Sequence, residues 1–448
     1  MASKIYMGNM PELMENILNN LNNEISSLYS CALVSRHWCK MAVPILWQDP
    51  FSSNRSSFIS KYFSSLGEDE KFILKECLEE RGINEEFSNT LFDYARFLKV
   101  LDTWSLENKV RKWITFEIID SELFHDTEIY HIINLLFKLF IESGAILHKL
   151  DLGFSKSLEL KPEIFYILGE NKQFFSRIQH LSLDEISDNN IESALALLKA
   201  LAKSTMKIST IELNYFNSDY EPQIFHAIIY IIRSQKQLKL FSLVGEYPTE
   251  FHGVISALES QKNSLQEVIL DNCDFSAEFE VFNNCKNLET LRIKNCATKL
   301  MKLLDYKVNT LEVVDCKIDT QAMTLIFEKS GILLQRLKFE TVDDEFQEEP
   351  LLLEALKSFC PNITYLSIQG IMFSPQVVEL IGNLQKLQFL SLWCDDVYNI
   401  PEEVLKIRAI QLSKILPLTL QYFNLGGTWL EPYTDILFNY CNAPLKKC

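Results

Sequence analysis

A six-residue pattern, apolar-x-x-apolar-x-apolar, returns eleven times after residue 146. It begins at Leu147-x-x-Leu150-x-Leu152 and recurs from Ile178, Ile208, Leu238, Leu265, Leu288, Val308, Leu334, Ile363 and Leu387. It ends at Leu420-x-x-Phe423-x-Leu425, and successive starts lie 20 to 33 residues apart. Apolar residues make up 47% of the chain, so one such hexad is weak and eleven at a bounded interval are not. The closing apolar-x-apolar alternation reads as a short strand with one buried face. Most intervals carry a helical stretch: 191–202, with Ile191, Leu195, Leu198 and Leu201 on one face, then 225–232 and 401–416. Pro401 suits a first helical turn. One strand and one helix cannot bury their own apolar face, but stacked copies can. The expected fold is α/β: a curved solenoid over residues 143–430, with parallel strands on the concave face and helices outside.

The two shortest periods, 23 from Leu265 and 20 from Leu288, leave no room for a full helix, so 3₁₀ turns or extended chain are expected there. Cys273, Cys296 and Cys316 each stand three residues after the last apolar position. A Cys or Asn at that corner belongs to the leucine-rich-repeat pattern, which this region resembles.

The formal charge is −17, from 60 acidic and 43 basic residues. That balance argues against nucleic acid or an anionic membrane as the main partner. None of the eleven cysteines forms a CxxC pair, and no cationic-then-apolar leader opens the chain. A reducing compartment is expected, cytoplasmic and/or nuclear. No apolar run approaches 18 residues; 132–141, interrupted by Asn134 and Lys138, reads as a buried amphipathic helix. There is no Gly-rich phosphate loop, HExxH or GxSxG, and the seven histidines show no metal-ligand spacing. No cofactor, metal site or catalytic residue is therefore expected.

The N-terminal residues form a different unit, 8–50. A helix from Met10-Pro11-Glu12-Leu13 carries Leu13, Ile17, Leu18 and Leu21. A second, over 24–34, turns Ile25, Leu28 and Cys31 inward, and a third from Arg36 carries Trp38 and Met41 up to Pro44. Three helices in so short a span bury little surface alone. The residues Met10-Pro11-Glu12-Leu13, Ile17, Leu21, Leu28, Val34-Ser35-Arg36-x-Trp38 and Pro44-x-Leu46-Trp47 resemble an F-box. Two features depart from the family: Met10 replaces its usual leucine, and the Leu21–Leu28 connection is polar.

With the repeats behind it, the chain resembles the F-box/leucine-rich-repeat class. That resemblance implies a substrate receptor of a Skp–cullin–F-box ubiquitin ligase. The module would bind a Skp-type adaptor and through it a cullin, while the repeats hold a protein substrate for a separate conjugating enzyme. It carries adaptor contact to Met10, Pro11, Leu13, Ile17, Leu21 and Leu28, and internal packing to Val34, Trp38 and Trp47. A repeat scaffold without ubiquitin transfer, or an enzyme on a solenoid, are the alternatives.

Ser-rich residues 51–64 read as an irregular linker. Residues 68–141 read as helices anchored by Phe87, Leu91, Tyr94, Phe97, Leu98, Leu101 and Trp104, forming with the linker a bridge over 51–142 that caps the solenoid. A degenerate repeat around Trp113–Ile118 is the alternative.

On each strand, the third and fifth hexad positions and the residue after the sixth should face outward on the concave side. These positions give a basic zone, Arg292, Lys294, Arg336 and Lys338, and an aromatic zone, Tyr365, Phe389, Trp393 and Tyr422. Aromatics and arginine commonly anchor interfaces, so the aromatic zone is the expected substrate contact, with the basic zone steering acidic segments. The competing reading folds the tail, Leu430–Cys448, over the aromatics. The acidic run Asp343-Asp344-Glu345 with Glu348-Glu349 reads as a solvated loop.

Overall fold

The computed structural model of the protein describes residues 11–21, 24–53, 55–79, 83, 86–87, 89–117, 126–154, 160–187, 190–216, 222–245, 251–274, 276–296, 307–317, 319–341, 349–395, 400–426 and 433–445. All eleven hexads form strands, and a further strand precedes them. They are β1 (Val100–Asp102), β2 (Lys149–Phe154), β3 (His180–Ile186), β4 (Thr210–Phe216), β5 (Leu240–Gly245), β6 (Glu267–Asp271), β7 (Thr290–Lys294), β8 (Thr310–Cys316), β9 (Arg336–Thr341), β10 (Tyr365–Met372), β11 (Phe389–Asp395) and β12 (Tyr422–Gly426). Strand order follows chain order. This is the α/β repeat architecture that the spacing dictates. The chain divides into two compact units, Met1–Ile211 with Glu221–Lys236, and Glu212–Tyr220 with Gln237–Cys448.

The first unit opens with three helices, α1 (Pro11–Asn20), α2 (Ile25–Ala32) and α3 (Arg36–Leu46). Residues 51–64 then differ from the expected irregular linker. A 3₁₀ turn, Pro50–Ser52, and a short helix, α4 (Ile59–Phe63), bury Phe51, Ile59, Tyr62 and Phe63. Their rings form one cluster: Trp47 stacks on Tyr94 at 4.0 Å and meets Tyr62 edge-on at 5.2 Å, and Tyr62 meets Phe140 at 5.1 Å. Scattered aromatics among serines were thus core, hidden by a segment too short to show a period.

After α5 (Glu68–Glu79) the expected helical run is also interrupted. Residues 89–98 are turns with a 3₁₀ piece, Ala95–Phe97. Leu98 and Leu101 are buried, but Leu91 is 92% and Trp104 66% exposed, so those two anchor nothing. Trp113 lies on α6 (Thr103–Glu117), not on a repeat strand. The extra repeat is β1, which pairs in parallel with β2 through Leu101↔Leu150. Helix α7 (Asp126–Glu142) buries Ile132, Ile133, Leu136, Phe137 and Phe140. Its two polar interruptions are satisfied: the Asn134 Oδ1 accepts from the Lys161 N–H at 2.7 Å, and Lys138 pairs with Glu70 at 2.5 Å. No helix among the described residues is long and apolar enough to cross a membrane. The unit continues with α8 (Pro162–Glu170), α9 (Ile191–Ser204) and α10 (Pro222–Ser234).

One backbone device recurs within each unit. In the first, the carbonyl just before a strand accepts two N–H groups of the next repeat: Lys99 O takes His148 and Lys149 at 2.7 and 3.1 Å. In the second unit Gln266, Glu289, Asn309, Gln335, Thr364 and Gln388 repeat it. The carbonyl of Gln48, at the end of the helical module, plays the same part for Lys99 and Val100 at 2.9 and 3.0 Å. With the register pinned, the hexad apolar residues all face the core. In β10, β11 and β12 they are 0–5% exposed, except Leu425, which is half-buried. Each fully buried leucine or isoleucine contributes about 1.5–3 kcal/mol.

The second unit adds α11 (Thr320–Ser330), α12 (Glu349–Phe359), α13 (Pro375–Asn383), α14 (Glu402–Ile415) and α15 (Thr434–Tyr440). The short period after Leu265 holds a 3₁₀ helix, Ala277–Asn284, as expected; most of the interval after Leu288 lies outside the described residues. Ser256–Gln261 is 3₁₀ as well. Residues 342–348, most of the acidic run, lie outside the described residues. Glu349 corrects the solvated-loop reading: it starts α12, is buried, and its Oε2 accepts the Met372 N–H at 2.9 Å.

The repeat corners explain their cysteines. Asn272, Asn295 and Asp315 turn the chain with φ of 54°, 49° and 52°, a region that Asn and Asp tolerate better than other side chains. The next residue then tucks its thiol under the sheet. Cys273, Cys296 and Cys316 donate to the carbonyls of Leu243, Leu270 and Ile293 on the preceding strand at 3.7–3.8 Å. Burial pushes the Cys316 and Cys285 thiols up to about 11 and Cys360 to about 12. A thiol whose folded value is raised contributes stability in full below its unfolded value and loses it as pH rises toward the folded one. Stability should therefore fall between about pH 9 and pH 12. At pH 8 a thiol reagent should label Cys31, Cys39, Cys77 and Cys441, and reach Cys285, Cys316 and Cys360 only in denaturant. Mass mapping of the native protein checks this.

Gly331, after α11, is a second tight point. A β-carbon there would collide with the carbonyls of Phe327 and Phe359 and with the Cys360 sulfur. Backbone atoms cannot swing aside, so Gly331→Ala should cost about 1–3 kcal/mol, measured by urea unfolding.

Candidate functional site

Helix α1 divides its apolar residues between two faces. Met14 and Leu18 are fully buried, whereas Leu13 and Ile17, also one turn apart, are 39% and 38% exposed. Leu18, Leu28, Ala42 and Ile45 make the core, with Leu21, Cys31, Trp38, Met41 and Leu46 packed against it. The Ser35 hydroxyl caps α3, accepting the Trp38 N–H at 3.3 Å. Three expectations are corrected here. Leu28 is 1% exposed and belongs to the core rather than to the outward face. Val34, expected inside, is exposed in the α2–α3 turn, and Ile25 with Tyr29 faces outward on α2. Leu28 is the single fully buried residue of α2. Trp38 and Trp47 are packed as expected. Met10 lies outside the described residues, and of Pro11 only the backbone, at the start of α1, is described.

The result is a small module with Leu13, Ile17, Ile25, Tyr29, Leu33 and Val34 all more than a third exposed. Of these, Leu13 and Ile17 adjoin one turn apart on α1 and form a small apolar strip. Beside α2, a pocket of about 310 Å³ is lined by Ile25, Leu28, Ile45, Leu46, Asp49 and Val100, among others. Burial raises the Asp49 carboxyl, against the hydrogen bonds it accepts from Ser52.

In the second unit the register aligns the third hexad positions side by side: Thr310↔Arg336↔Tyr365↔Phe389↔Tyr422. Tyr365 and Phe389 stack with centroids 4.2 Å apart and 11° between planes; Phe389 and Tyr422 stack at 4.4 Å and 4°. The Arg336 guanidinium lies 3.7 Å from the Tyr365 centroid. The three rings and the cation form one ladder, in which both faces of Phe389 are covered. Trp393, four residues beyond Phe389 on the same strand, is 49% exposed. It opposes Gly426, where a β-carbon would run into the indole, so the glycine makes room for the ring. The described part of the tail does not cover these aromatics. Helix α15 packs against α14, with the Lys414 ammonium 5.3 Å from the Tyr440 ring.

The basic zone is not a free positive patch. Arg292 pairs with Glu267 at 2.5 Å and Glu312 at 3.1 Å, and Arg336 with Glu312 at 3.1 Å. Lys338 pairs with Glu340 at 3.0 Å, and Lys294 lies 3.9 Å from Asp271. Four carboxylates therefore match four cations, which removes the steering role. Those acids stand at the same outward positions as the cations, so the hexad could have found them.

Residues 11–53 match the F-box-like family. This module is an F-box-like domain. No curated protein matches the chain. Among solved structures, it is similar to the leucine-rich repeat-containing protein LegL7 from Legionella pneumophila, at 14% identity and a TM-score of 0.37, over 62% of this chain and 95% of that one. It is also similar to a chain of the yeast Rad7 and Elc1 complex, at 12% identity and a TM-score of 0.30, over 83% and 84%. An F-box-like domain thus precedes a run of parallel-strand repeats.

Proposed function

We propose that this protein is the substrate-recognition subunit of a Skp–cullin–F-box ubiquitin ligase. The F-box-like domain docks a Skp-type adaptor, and through it a cullin. The repeats hold a protein substrate for a separate conjugating enzyme, so the chain itself is non-catalytic. The observation that carries the reading is the apolar strip on α1: Leu13 and Ile17 face solvent while Met14 and Leu18 fill the core. An F-box-like domain with such a strip calls for a partner that covers it. The substrate contact is assigned to Trp393 and the Tyr365–Phe389–Tyr422 ladder. A rigid stack loses little side-chain entropy on binding, and aromatic anchors dominate interface energies. Ubiquitin ligation of this type entails work in the cytoplasm or nucleus.

The test is reconstitution with a purified Skp-type adaptor and cullin. A stoichiometric complex, and ubiquitination of a captured partner only when this chain is present, is the expected result. Partner capture without any adaptor complex would make the protein a repeat scaffold instead.

A further inference from the structure

Helices α9 and α10 pack side by side in the first unit, and between them runs a groove of about 380 Å³. Ala202 and Ala227 line its floor. Lys199 and Lys203, one turn apart on α9, form one wall; Gln223, His226 and Tyr230 on α10 form the other. Tyr230 is 59% exposed.

The groove is positively charged. Several lysines elsewhere are paired, Lys71 with Glu68, Lys262 with Glu259, Lys357 with Glu354 and Glu379. Among the described residues, Lys199 and Lys203 have no ion-pair partner, and neither do Lys207, Arg233 and Lys236 at or just beyond the same helix ends. The Lys236 N–H donates to the Met206 carbonyl at 3.4 Å, which holds those two ends together. The single acid on either helix is Glu192, at the opposite end of α9. Favourable interaction with the helix dipole accounts for Lys203 and Arg233 in the last turns. It does not account for Lys199 a turn earlier, or for His226 in the middle of α10. An aromatic ring beside unpaired cations over a small-residue floor is chemistry for an anionic ligand with an apolar side chain.

We propose that this groove docks an acidic peptide segment of a protein partner, with its aspartate or glutamate carboxylates on Lys199 and Lys203 and an apolar side chain against Tyr230. The remaining charge of the chain, −17 overall, repels a long polyanion and leaves a short segment as the fitting ligand. A concave groove also lacks the flat apolar face with which a helix enters a membrane surface. The proposal does not depend on ubiquitin ligation.

The experiment uses the full chain and a short fluorescein-labelled peptide of alternating glutamate and leucine. Its controls are the lysine-for-glutamate peptide and vesicles of phosphatidylserine with phosphatidylcholine. The glutamate peptide should bind, the lysine peptide should not, and binding should weaken as salt rises past about 0.1 M. Lys199→Glu with Lys203→Glu should weaken binding at least about tenfold. Tyr230→Ala should weaken it less, and Lys262→Glu, outside the groove, should leave it unchanged. Should the double reversal misfold, Lys199→Gln with Lys203→Gln gives the same reading. Equal peptide binding by parent and variant overturns the proposal, as does no binding by the parent or a preference for the vesicles.

Discussion

Leu13→Asp together with Ile17→Asp should abolish adaptor capture while the chain stays folded. Both side chains are more than a third exposed, and their core neighbours Met14 and Leu18 are untouched. Surface substitutions of this kind usually move stability by less than about 0.5 kcal/mol. At an interface the same two positions are anchors in one row, and a truncated anchor costs about 2 kcal/mol or more. Two such losses amount to roughly a thousandfold in affinity. A core change makes the contrast: Leu28→Ala should cost about 2–5 kcal/mol of stability, and any loss of binding would then follow from unfolding. Titration of labelled adaptor, run beside thermal melts, separates the two. A Leu13/Ile17 variant that melts like the parent and still binds the adaptor would remove α1 from the interface. The same substitution pair at Ile25 and Tyr29 would then ask whether α2 carries it.

The repeat fold was legible because its signal is periodic. Each hexad is weak, yet β2 to β12 all fall on hexads, since a stacked core forces the same three positions inward in every copy. β1 escaped because only Leu98 and Leu101 carry its pattern, with Thr103 in the last place. Tyr62 and Phe63 escaped for a different reason: α4 spans five residues, fewer than two turns. The outward positions of β9 to β12 were also legible, and Tyr365, Phe389 and Tyr422 do stand in one row. What the row does was not. Whether neighbouring rings stack, and whether a cation faces water or a carboxylate, depends on which residues meet across strands. Reading Arg292 and Arg336 without Glu267 and Glu312 made a charge-balanced surface look basic. On the F-box-like domain, Leu28 matched the family pattern but lies inside, because pattern positions record both packing and contact.

Trp393→Ala should weaken partner capture at least about tenfold with no loss of fold, and Phe389→Ala should weaken both. The difference follows from the ladder. Phe389 is covered on both faces by tyrosine rings, so it is structural as well as displayed. Its removal leaves Tyr365 and Tyr422 without their shared neighbour, at a cost of about 0.5–1.5 kcal/mol for each lost stack beyond the area term. Trp393 rests over Gly426 with about half its surface in solvent, so little of the fold depends on it. It is also the aromatic side chain there with the most surface left to offer a partner. The double variant, Phe389→Ala with Trp393→Ala, should end capture altogether. Gly426→Ala offers an independent route to the same site, because a β-carbon there displaces the indole without deleting it. If Trp393→Ala and Gly426→Ala both retain parental affinity in folded protein, the ladder is a device for strand pairing and the substrate binds elsewhere. Lost capture in both, with parental melting for Trp393→Ala, fixes the contact on the outward face of β11 and β12.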